Sequence, residues 1–520
     1  MNRRYGDRAA RGWQRNSNSS CRPKRRALPT RRATSVTLHP DYRSALLSGL
    51  RNAAASGIRF NWSPVLALAE TTLSATDAGT PDSNDGALLG DNASWIRQQV
   101  GRLVQSGLST TPDAISPDVT DQILRILTEL LHDDDPPPDD EHINAGMSPL
   151  QRGINSVRGQ AVELSLDVVR WASTQDGAAA ASVRQTVLAE LEELLRSRLG
   201  SSTAVRAIFG LCLARLIYVD DDWVAAQRER LLPNAPNEAH LCDAAWTTYL
   251  AFNGVSLDAF KVLRPEYDSA VDHLALSLPN AKTEEGASSA GHLGGHLLAL
   301  YNHGTLSLAD GSLLHRFFVH APVEARQHVL SLEARSMYES KAPLDNDVLA
   351  RMTALWEHRI SAARTIGGSS LDELQPFAWA FVSEAFDPTW KLEQLNRILA
   401  AGVHVEAEHL VAEQLVHLAL SHQSLVLSAL QGMIRNNRKP WGIAGWIRQA
   451  GEVLDCLNGS SDPAIVAASR RNLATWDCDP ARDVGALPHS SAASTGGRRF
   501  RHNVKSRNRS ASSARARQSQ

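Results

Sequence analysis

The run VRAIFGLCLARLIYVDDDW, residues 205–223, decides the fold. Val205, Ile208, Phe209, Cys212, Leu213, Leu216 and Ile217 recur at offsets of three, four, seven, eight, eleven and twelve residues. That is one continuous apolar stripe at the 3.6-residue period, so the run predicts an amphipathic helix. The preceding stretch repeats the pattern with Val183, Val187, Leu188, Leu191, Leu194 and Leu195. Its wet face carries Glu192 four residues before Arg196, a helix-stabilising spacing, and Gly200 follows as an expected C-cap.

Working outward, the same signature returns along most of the chain. Helices are expected at about 237–252, 257–264, 267–278, 292–303, 308–319, 322–338, 345–363 and 371–385. Five more are expected at about 388–401, 404–419, 422–435, 440–457 and 463–476. Helix starts are marked by a capping residue before Pro: Ser63-Pro64, Ser116-Pro117, Ser148-Pro149, Asp387-Pro388 and Asp462-Pro463. The cap oxygen satisfies an orphan amide, and Pro at the first position forfeits no hydrogen bond. Ser148 with Gln151, and Ser370 with Glu373, fit the capping-box spacing. Aromatics make up only 6% of residues, and strand-like runs of alternating residues are missing. Helix pairs recur every 35–45 residues or so, the range of HEAT-like units. The expected fold class is all-α, an α-solenoid of HEAT-like antiparallel helix pairs with disordered basic tails.

The net charge of −2 conceals an asymmetry. Residues 1–35 hold eleven Lys/Arg and one acid, Asp7, and residues 496–520 hold eight Lys/Arg and no acid. The intervening 36–495 carries 35 basic and 55 acidic groups, a net of −20. Arg25, Arg26, Arg31, Arg32, Arg498, Arg499 and Arg501 are therefore the candidate nucleic-acid contacts, because clustered cations release counterions from phosphate backbones. The same tails suit folding back on the acidic body.

The division that follows is a basic tail 1–36, a helical segment 37–131, an acidic Pro-rich linker 132–144, a helical-repeat array 145–477 and a second tail 478–520. HDDDPPPDDEH, 132–142, should be extended and solvated, and 276–291 should be a loop. None of the five cysteines forms a Cys-x-x-Cys pair, which suits structural thiols in a reducing, cytoplasmic compartment. The most apolar run, 209–219, is too short for a membrane span and is broken by Arg215, so no membrane association is expected.

Chemistry-bearing patterns are weak. His292 and His296 lie one turn apart, and His303 falls near the same stripe. Imidazoles so placed suit zinc, but eleven residues of helix rise about 16 Å, too far for one ion to reach all three. Ordinary surface or interface histidines are the preferred reading, and no cofactor is expected. His404, His409, His417 and His422 share no face, and read as solvated positions. Asp220-Asp221-Asp222 suits a helix start better than a cation loop, since calcium loops need alternating ligands around a glycine. Nine tryptophans from Trp171 to Trp476 read as core or inter-repeat packing rather than base-stacking platforms. Trp441, flanked by Arg435, Arg438, Lys439 and Arg448, is the exception. Arg158 and Gly159 read as structural, Arg158 bridging repeats through a carboxylate and Gly159 allowing close helix approach.

Two stretches carry a resemblance. SPLQRGINSVRGQAVELSLDVVRW, 148–171, and the 205–223 run look like motifs of the C-terminal helical arrays of large bacterial STAND/NACHT-type NTPases, many linked to anti-phage defence. Asn155-Ser156-Val157-Arg158-Gly159 and Asp222-Trp223 carry most of the match, over about 145–275. The resemblance implies an array that recognises a ligand or restrains an ATPase. The chain departs from that pattern in having no Gly-x-x-x-x-Gly-Lys-Ser/Thr loop. A free-standing scaffold, a partner subunit and a split gene product all remain open. The expected function is a non-catalytic scaffold or sensor whose partner is a protein, such as an NTPase or effector. The alternative is a nucleic-acid-binding protein that uses its Arg-rich tails.

Overall fold

A computed structural model describes residues 40–58, 60–77, 92–109, 115–138, 146–175, 177–276, 284–340, 343–437 and 442–477. The Arg-rich segments, with Arg25, Arg26, Arg31, Arg32, Arg498, Arg499 and Arg501, lie outside the described residues, as do Arg438, Lys439 and Trp441. Among the described residues there are helices and no strands.

In chain order the helices are α1 (Pro40–Ala55), α2 (Trp62–Asp77), α3 (Asn92–Ser109), α4 (Thr120–Leu131), α5 (Pro149–Ile154), α6 (Val157–Ala172) and α7 (Gly177–Arg196). They continue with α8 (Thr203–Val219), α9 (Asp221–Leu231), α10 (Ala239–Phe252), α11 (Leu257–Val262), α12 (Arg264–Leu276), α13 (Glu284–Asn302) and α14 (Leu313–His320). The last are α15 (Val323–Glu339), α16 (Asn346–Ile366), α17 (Phe377–Val382), α18 (Pro388–Ala400), α19 (Glu408–Leu418), α20 (Gln423–Asn436), α21 (Ile447–Asn458) and α22 (Pro463–Asp477).

These gather into two compact units, one through Asp387 and one from Pro388. In the first, α1, α3, α6, α8, α10, α13, α15 and α17 pack each against the next and form one layer. The second layer runs α2, α4, α7, α9, α11, α12 and α14. Within the layers, α3 with α6 and α2 with α4 run parallel. Gln160 Nε2 donates to Gln98 Oε1 and Gln105 Nε2 to Asp167 Oδ2, so α6 advances alongside α3 in constant register. Gln122 to Ser63 and Arg125 to Glu70 show α4 advancing in the same direction as α2, with the offset narrowing from 59 to 55 residues. A layer of parallel helices joined through a second layer is the HEAT-like scheme. α6, α8, α10, α13 and α15 begin at Val157, Thr203, Ala239, Glu284 and Val323, spacings of 36 to 46 residues. The second unit, taken by itself, repeats the plan with α18, α20 and α22 against α19 and α21. The expected all-α helical-repeat packing therefore holds within each unit.

The core follows the stripes. All seven stripe residues of α8 and all six of α7 are buried. At about 1.5–3 kcal/mol per large side chain removed from water, these faces supply the main drive for stacking. α8 is buried further than one stripe: Ala204, Arg206, Ala207 and Gly210 are covered too, because α5, α6, α9, α10 and α11 all contact it.

Several local expectations need correction. α13 begins at Glu284 rather than 292, so most of the expected loop 276–291 that is described is helix. α2 starts at Trp62, with Asn61 Oδ1 accepting from the Ser63 amide, in place of a Ser63 cap. Gly200 sits in a 3-10 turn, not a left-handed cap; a Cβ there would meet Leu194 O at 2.3 Å. The stretch 371–385 is a 3-10 turn (Gly368–Leu374) followed by the short α17, and the Ser370–Glu373 capping box does not form. The Ser148–Gln151 capping box is present in full. Asp220 caps α9 by accepting from the Trp223 amide at 2.9 Å. No helix among the described residues is long and apolar enough to cross a membrane.

Candidate functional site

The buried arginines organise the array. Arg158 stands at a core position of α6 and is fully buried. Its planar fork takes backbone carbonyls rather than a carboxylate: Nε and Nη2 donate to Asp133 O, and Nη1 to Pro136 O and Leu199 O at 2.9 Å each. The Arg158 amide donates to Asp135 O, and the Val157 amide to Asp135 Oδ2. The carboxylate of Asp133 instead pairs with Arg97 at 2.5 Å. This corrects two expectations. Arg158 bridges elements, but through carbonyls. The start of the acidic Pro-rich stretch is no solvated spacer either, because Asp133 is buried and its backbone is pinned to α6. Burial lowers the Arg158 pKa, opposed by Asp133, Asp134 and Asp135. At Gly159 a Cβ would meet Gly153 O at 2.0 Å, so only glycine lets α5 lie this close.

Two further sites escaped sequence reading. Arg206 is buried on α8, donating from Nε to Gly200 O at 2.7 Å and from Nη1 to Arg230 O. Burial pushes its pKa down to about 10. Deeper in the unit, Glu373 is 0% exposed between Arg326 and Arg359. Arg359 donates from Nε and Nη2 to Oε1 at 3.0 and 2.6 Å, and Arg326 Nε donates to Oε2. Arg326 Nη1 also reaches Ala321 O, and Arg359 stacks on Phe318 at 4.4 Å. The available signal was position. Arg359 continues the stripe Met352, Leu355, Trp356, Ile360 and Ala363, where an apolar residue is the norm.

The histidines separate. His303 is exposed, His292 half-buried and His296 buried at 6% exposure. His296 Nε2 lies 3.0 Å from Asn253 O and Nδ1 2.7 Å from the Tyr267 hydroxyl. Both ring nitrogens are engaged inside the fold. Burial depresses its pKa to about 4, and burial lowers that of His292 too, with His328 nearby. Among the described residues no three His, Cys, Asp or Glu converge as a metal set. In the second unit His404 lies 3.5 Å from Glu408 and His422 bonds Ser421 and Thr389, while His409 and His417 are exposed.

The tryptophans divide between core and partial cover. Trp171, Trp356 and Trp446 are buried, with Trp171 Nε1 donating to Ile115 O. Trp223, Trp246, Trp379 and Trp390 are half-buried, and Trp246 stacks on Tyr249. Cys212 is buried with Arg215 Nη2 3.1 Å from its Sγ, and burial pushes the thiol up to about 12, so it is no nucleophile at neutral pH.

What the first layer leaves toward solvent is a polar ladder. It runs from Gln98 and Gln105 on α3, across Gln160, Glu163 and Asp167 on α6, to Arg215 and Tyr218 on α8. Glu163 faces Arg215 at 3.8 Å, and burial raises its pKa against that cation. Tyr218 is 93% exposed and Phe252 63% exposed, at the C-terminal ends of the adjacent helices α8 and α10.

No protein-family model matches the chain, and no curated protein is significantly similar to it in sequence.

Proposed function

We propose that this protein is a non-catalytic helical-repeat scaffold or sensor module that mediates protein–protein interaction. The observation that carries this reading is how the buried charge is used. Arg158, Arg206, Arg326, Arg359 and Glu373 all hold backbone carbonyls or one another across successive helices. Such groups fix the register of a rigid frame, and a rigid frame of stacked helix pairs offers a continuous surface to a partner. The ladder from Gln98 to Tyr218, ending beside exposed Phe252, supplies hydrogen-bonding groups and aromatic anchors, the composition of a recognition surface. The resemblance of 148–171 and 205–223 to STAND/NACHT-type arrays suggests an NTPase or effector as partner, in a defence-type assembly.

The test is affinity capture from the source organism with the full chain and with a Tyr218→Asp/Arg215→Glu variant. The reading expects a defined partner that is retained by the wild type and lost by the variant. A partner captured equally by both would move the interface elsewhere, and the absence of any stoichiometric partner would end the scaffold reading.

A second reading is favoured by the eleven and eight basic residues at the two ends: nucleic-acid binding through those segments. It expects salt-dependent binding that disappears when 1–36 and 496–520 are deleted, and binding unchanged by that deletion would remove it.

A further inference from the structure

The buried hydrogen-bond chain on α10, α12 and α13 has a direction that can be assigned atom by atom. Asn253 O is a carbonyl and only accepts, so His296 Nε2 carries the proton that reaches it at 3.0 Å. His296 Nδ1 is then the acceptor of the Tyr267 hydroxyl at 2.7 Å. With its proton given to the imidazole, the Tyr267 oxygen accepts from the Tyr249 hydroxyl at 3.3 Å. Each of the three side chains comes from a different helix, and all three are buried. Trp246 and Phe260 enclose them, Trp246 edge-on to Tyr267 at 5.1 Å and Phe260 at 5.3 Å.

We propose that His296 is a proton-operated latch: neutral, it closes the α10–α12–α13 junction, and protonated, it releases that junction. A proton added at Nδ1 turns this nitrogen from acceptor to donor. The Tyr267 hydroxyl must then rotate and donate to Tyr249, and the Tyr249 hydroxyl loses its acceptor in an aromatic core. A buried donor without an acceptor is costly, so the junction opens instead. The titratable groups facing His296 are Tyr249 from α10, Tyr267 from α12 and His292 from its own helix. α14 and α15 meet α13 at Gly294 through Phe317 and Val329, and His328 lies over Gly291. α16 meets it through Arg351, which donates to Asn302 O. The depressed basicity of His296 agrees with a site built for the neutral ring.

The test compares the full chain with His296→Asn, whose Oδ1 can accept from Tyr267 and which does not titrate. Amide hydrogen exchange is followed in α10 and α13 from pH 7 to pH 4, corrected for intrinsic rates. The wild type should lose protection at this junction by at least about tenfold more than the variant, the two behaving alike in α18–α22. Equal loss in both would overturn the latch. Nitrogen NMR of labelled histidine in the wild type gives an independent check should the variant not fold. A neutral Nε2–H tautomer at pH 5.5 supports the latch, and an Nδ1–H tautomer or an imidazolium at that pH overturns it.

Discussion

Replacing Glu373 by Gln removes one charge and almost no volume, and the structure sets how much that should cost. Oε1 accepts two bonds from Arg359 and Oε2 accepts one from Arg326, all in a site with no exposure at Glu373. An amide offers one acceptor oxygen, so its NH2 group must face one of the two guanidinium groups, donor against donor. Breaking a buried ion pair by removing one partner typically costs about 3–5 kcal/mol, because the remaining charge stays out of water. Two arginines are stranded here, although Arg326 keeps Ala321 O and Arg359 keeps the face of Phe318. A loss of about 4 kcal/mol is therefore expected. A long repeat array need not unfold in one step, so the assay should be local. Amide exchange in α15 and α16 should accelerate by about 10³-fold, with α18–α22 unchanged. A cycle with Arg326→Ala should give a coupling energy above about 1.5 kcal/mol. A single-variant effect under about 0.5 kcal/mol, the range of ordinary surface substitutions, would refute the buried-triad reasoning.

Three other perturbations follow from the same geometry. Gly159→Ala places a methyl group against Gly153 O, where only backbone can yield, and should cost about 1–3 kcal/mol in urea unfolding; a neutral result would mean α5 moves away freely. Ala407 is a non-glycine residue at φ 46, so Ala407→Gly should raise the melting temperature of the second unit, by about 0.5–1 kcal/mol in stability, and a lowered one would contradict the strained backbone. Burial raises the pKa of Glu333, which accepts from Asn302 Nδ2. The folded state thus holds the Glu333 proton more tightly than the unfolded chain does. Its contribution is most favourable in acid and declines as pH rises from the unfolded value through the folded one. Glu333→Gln should therefore stabilise relative to wild type at pH 8, with the difference closing toward pH 4; a difference independent of pH would refute this.

The fold was legible in the sequence wherever information is local. The stripes of α7 and α8 needed only a 3.6-residue period, and the capping box at Ser148 needed only four residues. What failed required knowing the neighbours. Ser370 and Glu373 have capping-box spacing, but two arginines from α15 and α16 draw Glu373 into the core and the backbone takes a 3-10 turn. The run from Asp133 to Pro136 has the composition of a solvated linker, yet Arg158 and Arg97 anchor it. Gly200 looks like a helix terminator, and its lack of a side chain serves close approach to Leu194 instead. The candidate surface was still less visible. Its residues lie on α3, α6 and α8, and only the register between parallel helices shows that Gln105 reaches Asp167 or that Glu163 faces Arg215. One sequence signal does point inward: an arginine at a core position of an apolar stripe, as at Arg359, whereas Arg206 lies beside the α8 stripe and is covered only because five helices surround it.

The parallel run of alternate helices is tested most directly by cysteine cross-linking between α3 and α6. Seven residues of helix rise about 10.5 Å, so the pairs 98–160 and 105–167 are close while 98–167 and 105–160 are distant by that further length. Cysteines at Gln98 with Gln160, and at Gln105 with Asp167, should oxidise to disulfides readily, and the crossed pairs should not. Efficient bonding of the crossed pairs, with none in the matched pairs, would mean that these helices run antiparallel and that the repeat architecture is wrong.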